Sequence, residues 1–305
     1  MAEPIGIVTA KDALFAATRR LREAGIKGAR LDAEVLLTHV LGIRREYLYA
    51  HPEMRLDFNE YERYQAVLER RLTRLPVAYI TGKKEFMSLE FTVNEHVLIP
   101  RPETEVLVEE VVSRIGTSPP KDNLKDSLTD SPTIIADIGT GSGAIAVSVA
   151  WFLRTADIIV IATDISANAL TTAQENAKKH KVDHMVKFFQ GDLLCPLDGE
   201  GLEDKLAAIV SNPPYLSRRA MTAVSKEVTQ EPEAALFGGE QGLDFSLAIL
   251  KDARRFLAPG GFVALEVGHD QAGILAEFAK ETLGYGEVEI VLDLAGIERV
   301  VIARQ

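Results

Sequence analysis

The chain has 305 residues, 47% of them hydrophobic, enough to bury a sizeable core in one large domain or two smaller ones. Its formal net charge of −11 argues against a broad electrostatic footprint for nucleic acid, and its single cysteine, Cys195, excludes an internal disulfide framework. No apolar run approaches membrane-spanning length, and MAEPIGIVTAKDALF carries an acid where a signal peptide is basic, so a cytoplasmic protein with a packing role for Cys195 is expected.

Residues 1–85 hold 15 Lys and Arg against 12 Asp and Glu, so the acidic excess lies in the remainder. Over residues 10–75, Leu31, Val35, Leu36 and Val40, and then Tyr64, Val67, Leu68, Arg71 and Leu72, recur at helical spacing without a strand signal. A helical domain over 1–85 is expected. FMSLEFTVNEHVLI, residues 86–99, is rich in β-branched and aromatic residues around a polar Asn94-Glu95-His96 break, which predicts a hairpin linker over 86–100. Pro102 then suits the first turn of a helix PETEVLVEEVVSRI, with Glu103 and Glu105 near its positive end.

Residues 116–132 are polar, proline-containing and aperiodic, and predict a surface loop. Strands are expected at 133–138, 158–163, 186–190, 207–211 and 262–267, alternating with amphipathic segments, so the 101–305 region predicts a parallel sheet covered on both faces by helices. Two last strands, 288–292 and 299–303, flank a short Gly-containing turn and should pair antiparallel.

The chemistry concentrates after these strands. Gly139-Thr140-Gly141-Ser142-Gly143 joins an apolar strand to a helix, where glycines let a ligand approach the backbone and unpaired N–H groups face negative charge. Gly139, Gly141 and Ala144 also satisfy the dinucleotide fingerprint, so the loop alone leaves two cofactor classes open. Asp164, ending the next strand, can accept ribose hydroxyl protons, or Asp164 or Ser166 can cap the following helix. Asp192 and Leu193, after the third strand, can bound an adenine. His180 and His184 are four apart but sit at a helix-to-strand junction without a third ligand, so surface positions are expected and no metal.

Asn212-Pro213-Pro214-Tyr215 discriminates further. The prolines must end the strand before them, leaving their carbonyls and the Asn212 carboxamide free to meet an N–H-bearing group. This tetrapeptide resembles the signature of adenosylmethionine-dependent methyltransferases that act on planar, conjugated nitrogens. With VAYITGKKEFMSLEFTVNEHVLIPRPETEVLVE, ADIGTGSGAIA, EPEAALFGGEQGLDF, LAPGGFVALEVG and DLAGIERVV, the whole chain apart from 116–132 resembles the peptide chain release factor glutamine methyltransferases, the PrmC/HemK family. Some relatives carry tryptophan where this chain has Leu193.

The resemblance implies a class I methyltransferase fold, a seven-stranded Rossmann-like sheet with an antiparallel last strand, preceded by a small helical domain. It implies S-adenosyl-L-methionine held by Gly139, Thr140, Gly141, Ser142, Gly143, Asp164, Asp192, Leu193 and Asn212. A release-factor glutamine would be presented to Asn212, Pro213, Pro214 and Tyr215, with Arg101, Glu103 and Thr104 on the substrate side and Glu231–Gly239 as a lid. A monomer that needs neither nucleic acid nor membrane is expected. An adenine-N6 methyltransferase, a ribosomal protein L3 glutamine methyltransferase and a non-catalytic cofactor binder are the competing readings; the first predicts a basic groove, and the last needs no intact tetrapeptide.

Overall fold

The computed structural model describes residues 8–116 and 132–305, so the expected surface loop lies, apart from its end residues, outside the described residues. The chain divides into two compact units, one running to Lys83 and including Ser225–Gln230, the other comprising Lys84–Val224 and Glu231–Gln305.

The first unit is helical: α1 (Ala10–Glu23), α2 (Ala29–Leu41), α3 (Arg45–Ala50), α4 (Phe58–Leu72) and α5 (Val77–Thr81). Capping boxes open α1 and α4, where Thr9 and Asp57 side chains accept from the backbone of Asp12 and Glu60, whose own side chains reach back. Leu14, Leu21, Leu36, Leu37, Leu48, Tyr64 and Leu68 form its core. Leu31, expected on the apolar face, is exposed; Ala33, Leu36 and Leu37 are the buried stripe of α2. Glu34 is buried but accepts from Arg30, Arg45 and Tyr49. Arg71, also buried, pairs with Asp32 at 2.8 Å and with Glu227 at 3.1 Å, which fastens Ser225–Gln230 to this unit.

The second unit is built on a mixed sheet. A hairpin of β1 (Lys83–Phe86) and β2 (Leu89–Thr92) turns at Met87 and Ser88, both at positive φ (52° and 60°). Its turn therefore falls before the polar Asn94–His96 stretch, where the sequence pattern places the break. A two-residue hairpin turn of type I′ needs positive φ at both positions, and the expected Asn or Gly marker is absent here. Phe86, Leu89 and Phe91 are buried in this unit's core, and Glu105 accepts from the Met87 amide at 2.7 Å.

Helix α6 (Thr104–Gly116) starts two residues after Pro102, because residues 101–103 form a turn in which Arg101 and Pro102 carbonyls accept from Thr104 and Glu105. The chain continues through β3 (Thr133–Ile138), α7 (Ala144–Phe152), β4 (Ile158–Asp164), α8 (Ala167–Lys179), β5 (Val186–Gln190), β6 (Leu206–Ser211), α9 (Arg218–Met221), α10 (Asp244–Ala253), β7 (Leu257–Glu266), α11 (Ala272–Glu277), β8 (Glu287–Leu292) and β9 (Glu298–Arg304). The seven-stranded sheet has the order β5-β4-β3-β6-β7-β9-β8. Neighbours from β5 to β7 are parallel, and β9 runs antiparallel to both β7 and β8, as expected for this fold class.

Two cores cover the two faces. Ile135, Val160, Ala162, Ala208, Val210, Phe262 and Ala264 pack on one, and Ala136, Ile138, Ile161, Ile209, Val263 and Leu265 on the other. The strands read as continuous apolar runs because alternate residues bury on opposite faces.

Candidate active site

Strands β3 to β7 are parallel, so their carboxyl ends share one edge. The order reverses between β3 and β6, the place where such sheets open a ligand crevice. Ser211 donates to the Ile138 carbonyl at 2.6 Å and the Thr140 amide to the Thr163 carbonyl at 2.8 Å, locking neighbouring strand ends together.

In the loop after β3, Gly139, Gly141 and Gly143 have φ of 72°, 55° and 78°. A Cβ at Gly139 or Gly141 would meet open space, whereas at Gly143 it would press on Ala173 at 3.0 Å, so the absence of a side chain at Gly143 also lets α8 pack close to the loop. Buried Asn176 of α8 donates to the Ser142 carbonyl and exchanges bonds with the Thr92 backbone, tying the loop to the hairpin. Asp164 accepts from the Gly141 amide and the Ser166 amide, each at 2.8 Å. The cap of α8 is Ser166, not Asp164, since its hydroxyl accepts from Ala169 at 3.2 Å. Burial raises the Asp164 carboxyl above its ordinary range, against the two amide bonds.

Beneath this loop lies Asp137, which sequence reading did not single out. One oxygen accepts from Thr140 at 2.6 Å and from the Ala146 amide at 3.0 Å, while the other is buried without a partner among the described residues. Burial pushes its carboxyl up to about 7. The available signal was an acid inside the apolar strand TIIADI, directly before the glycines.

After β5, Asp192 is exposed, and Leu193 adopts positive φ (48°) with its carbonyl held by Thr163 at 3.0 Å. A left-handed leucine is strained and persists only where surroundings impose it. Cys195 is exposed rather than packed, because the short turn Cys195–Leu197 directs Leu197 inward instead. His180 approaches the Glu90 carbonyl at 3.0 Å and His184 is exposed, so the two do not converge. No group of three or more metal-ligating side chains occurs among the described residues.

Asn212 leaves β6 beside these loops. Its Nδ2 donates to Thr104 Oγ1 at 3.1 Å, and its Oδ1 is buried without a partner among the described residues. The two prolines that follow carry no N–H that could satisfy that oxygen. A polar atom in this condition costs free energy unless a ligand completes it.

The segment from Glu231 to Gly242 braces this turn rather than standing free as a lid. Leu216 and Phe237 form a parallel bridge, the Gly238 amide donates to Leu216, and a Cβ at Gly238 or Gly242 would overlap the Pro214 or Tyr215 carbonyl. Buried Gln271 donates to the carbonyls of Tyr215 at 2.9 Å and Gly242 at 3.1 Å while accepting from Gly268 at 2.8 Å. Burial moves the Tyr215 hydroxyl up to about 12, helped by the nearby Glu266 charge.

On the α6 side, Arg101 pairs with buried Glu231 at 2.5 Å, and Glu231 also accepts from the Ile99 amide at 3.0 Å. Thr104 is thus in direct contact with Asn212, Arg101 is engaged by Glu231, and Glu103 is exposed in the turn between them. The open glycine loop, the Asp137 oxygen and the Asp164 carboxylate at one sheet edge are a donor and acceptor set that fits a nucleoside carrying a charged amino-acid tail.

Residues 12–82 match a family described as the PrmC N-terminal domain, and residues 122–243 match the methyltransferase small domain. A release factor glutamine methyltransferase of Moorella thermoacetica is 42% identical over 296 residues, spanning 97% of this chain and 98% of the relative. One of Nitratidesulfovibrio vulgaris is 38% identical over 95% of this chain and 92% of the relative. Among solved structures, the hMettl16 catalytic domain in complex with MAT2A 3'UTR hairpin 6 aligns at TM-score 0.53 and 14% identity, covering 76% of this chain and 81% of that one, a likeness of fold alone.

Proposed function

The chain belongs to the release factor glutamine methyltransferase family, and from that premise we propose that it methylates the side-chain amide nitrogen (N5) of the glutamine in the Gly-Gly-Gln motif of peptide chain release factors. The observation that carries the site assignment is the buried, unpartnered Asn212 Oδ1 beside two prolines, an acceptor whose complement is an N–H group.

S-adenosyl-L-methionine, when bound, supplies an electrophilic methyl group. Gly139, Thr140, Gly141, Ser142 and Gly143 are the residues for its methionyl part, with the free oxygen of Asp137 suited to an ammonium. Asp164 retains lone pairs for ribose hydroxyls beyond its two amide bonds. Asp192 and Leu193 bound the base.

The chain's own task is positioning. An amide nitrogen is a weak nucleophile because its lone pair is delocalised. Asn212 Oδ1 and the Pro213 carbonyl would accept its two N–H bonds, aim the lone pair, and stabilise positive charge developing on nitrogen. Buried Pro213 holds the turn, and Tyr215, braced through Gln271, offers a face to the planar amide. Arg101, Glu103 and Thr104 complete the wall on the α6 side. The helical unit grips the release factor, and the enzyme works as a metal-free monomer in the cytoplasm. No helix among the described residues is long and apolar enough to cross a membrane.

The test is to incubate the full chain with methyl-labelled S-adenosylmethionine and, separately, a release factor, ribosomal protein L3 and duplex DNA, then map the label by mass spectrometry. Label on the Gly-Gly-Gln glutamine is expected. Label on L3 or adenine would replace the substrate, and none anywhere would overturn the activity.

A further inference from the structure

Glu266 ends β7 at the carboxyl edge of the sheet. The register that pairs Ser211 with Leu265 carries Glu266 to the level of Asn212, and on its other side Glu266 pairs with Val300 of β9. It is 1% exposed, and neither carboxyl oxygen has a partner at hydrogen-bond geometry among the described residues. The groups acting on it are the hydroxyls of Thr104 and Tyr215, the Arg299 guanidinium and the Glu103 carboxylate. Burial acts on it most strongly and opposes its charge; the Thr104 hydroxyl, Arg299 and the Tyr215 hydroxyl favour the charged form without reaching hydrogen-bond geometry, and Glu103 opposes it. Arg299 is itself committed to Asp293 at 3.1 Å and to the Val267 carbonyl at 3.3 Å.

An unpaired buried carboxyl costs stability, and a well-packed apolar residue would avoid that cost. The hydroxyls around it explain what it can do. A threonine hydroxyl has one proton to donate. When that proton points to Glu266, Thr104 Oγ1 can only accept from Asn212, so it selects the Nδ2 end of the carboxamide, as the 3.1 Å contact has it. Without an acceptor behind it, the same hydroxyl can donate to Asn212 Oδ1, and the carboxamide is free to turn over. The orientation of an amide is set by its hydrogen-bond network.

We propose that Glu266 is a positioning residue for methyl transfer: acting through the Thr104 hydroxyl, it fixes the Asn212 carboxamide with Oδ1 toward the substrate, and through the Tyr215 hydroxyl it holds the aromatic wall. This rests on the methyltransferase reading above. It assigns the acid of FVALEVG to substrate orientation and gives Thr104 a relay role rather than direct substrate contact.

The test compares Glu266→Leu, Glu266→Gln, Thr104→Val and Asn212→Ala in the full chain, measuring kcat and KM for label transfer to a release factor, S-adenosylmethionine affinity by calorimetry, and thermal stability. Glu266→Leu and Thr104→Val should each lower kcat about 10-fold or more, with cofactor affinity held and the melting temperature not lowered. Their double variant should fall well short of the product of the two single losses, since both break the Thr104 relay. Glu266→Gln, whose carbonyl can take the same proton from Thr104, should recover most of the activity.

Wild-type kcat in Glu266→Leu, additive losses in the double variant, or a loss that tracks cofactor affinity or stability would overturn the proposal. Should Glu266→Leu fail to fold, Thr104→Val decides alone, and full activity there overturns it equally. Asn212→Ala separates the layers: if it is inactive while Thr104→Val is normal, only the relay falls, whereas an active Asn212→Ala removes the underlying reading.

Discussion

Two buried glutamates, one in each unit, meet opposite fates. Glu34 in α2 is 3% exposed and accepts from Arg30 and Tyr49 at 2.5 Å and from Arg45 at 2.9 Å. Burial pushes its carboxyl up, but the bonds from Tyr49, Arg45 and Arg30 outweigh that and hold it below the usual range. Glu266 is 1% exposed and lacks such partners, and burial carries it up to about 7. A satisfied buried acid is explained by the fold around it. An unsatisfied one at the carboxyl edge of a parallel sheet is explained by what the site must do.

The largest effect should come from the unsatisfied side. Asn212→Ala removes the orphaned acceptor and is expected to cost about 2–4 kcal/mol in kcat/KM, with cofactor affinity near normal by calorimetry; near-normal turnover would break the contrast. Glu34→Leu should leave turnover per folded molecule intact and lower unfolding free energy by about 1–3 kcal/mol in urea titration, since Arg45 and Tyr49 lose their acceptor. Because the Glu34 carboxyl is lowered from 4.5, its contribution is present above that value and disappears as pH falls through the folded pKa.

For Glu266 the sign reverses. Between about 4.5 and about 7 the folded chain keeps a proton that the unfolded chain releases, so this group's stability contribution falls as pH rises through that window. Glu266→Gln should therefore unfold later than the parent by about 1–3 kcal/mol at pH 8, with the gap closing toward pH 4.5. A gap that widens in acid would contradict an unpaired carboxyl. The smallest effect belongs to Arg218 and Glu240, paired at 2.5 Å with side chains 66% and 71% exposed, where a double-mutant cycle should give below about 0.5 kcal/mol.

Much of the architecture was legible from pattern. The alternation of apolar runs with amphipathic segments located β3 to β6 within a residue or so, because a strand buried on both faces must be apolar throughout. Local turns were less legible. The hairpin reverses at Met87-Ser88, whose positive φ no Asn or Gly announces, and α6 waits until Thr104 because Arg101–Glu103 form a turn. Cys195 and Leu31 face outward where composition alone favours the interior. The segment after Glu231 reads as a lid from its sequence, whereas the close approach of Gly238 and Gly242 to the backbone of Pro214 and Tyr215 makes it a brace.

The sequence by itself determined the glycine loop, the acid that follows β4 and the tetrapeptide that ends β6, because each depends on residues adjacent in the chain: glycines for positive φ, prolines for a missing N–H. Only the tertiary structure decided which carboxylates are satisfied. Asp137, Glu231, Glu266 and Gln271 matter through partners distant in sequence, and a side chain's burial and its hydrogen bonds depend on which strands the sheet sets side by side.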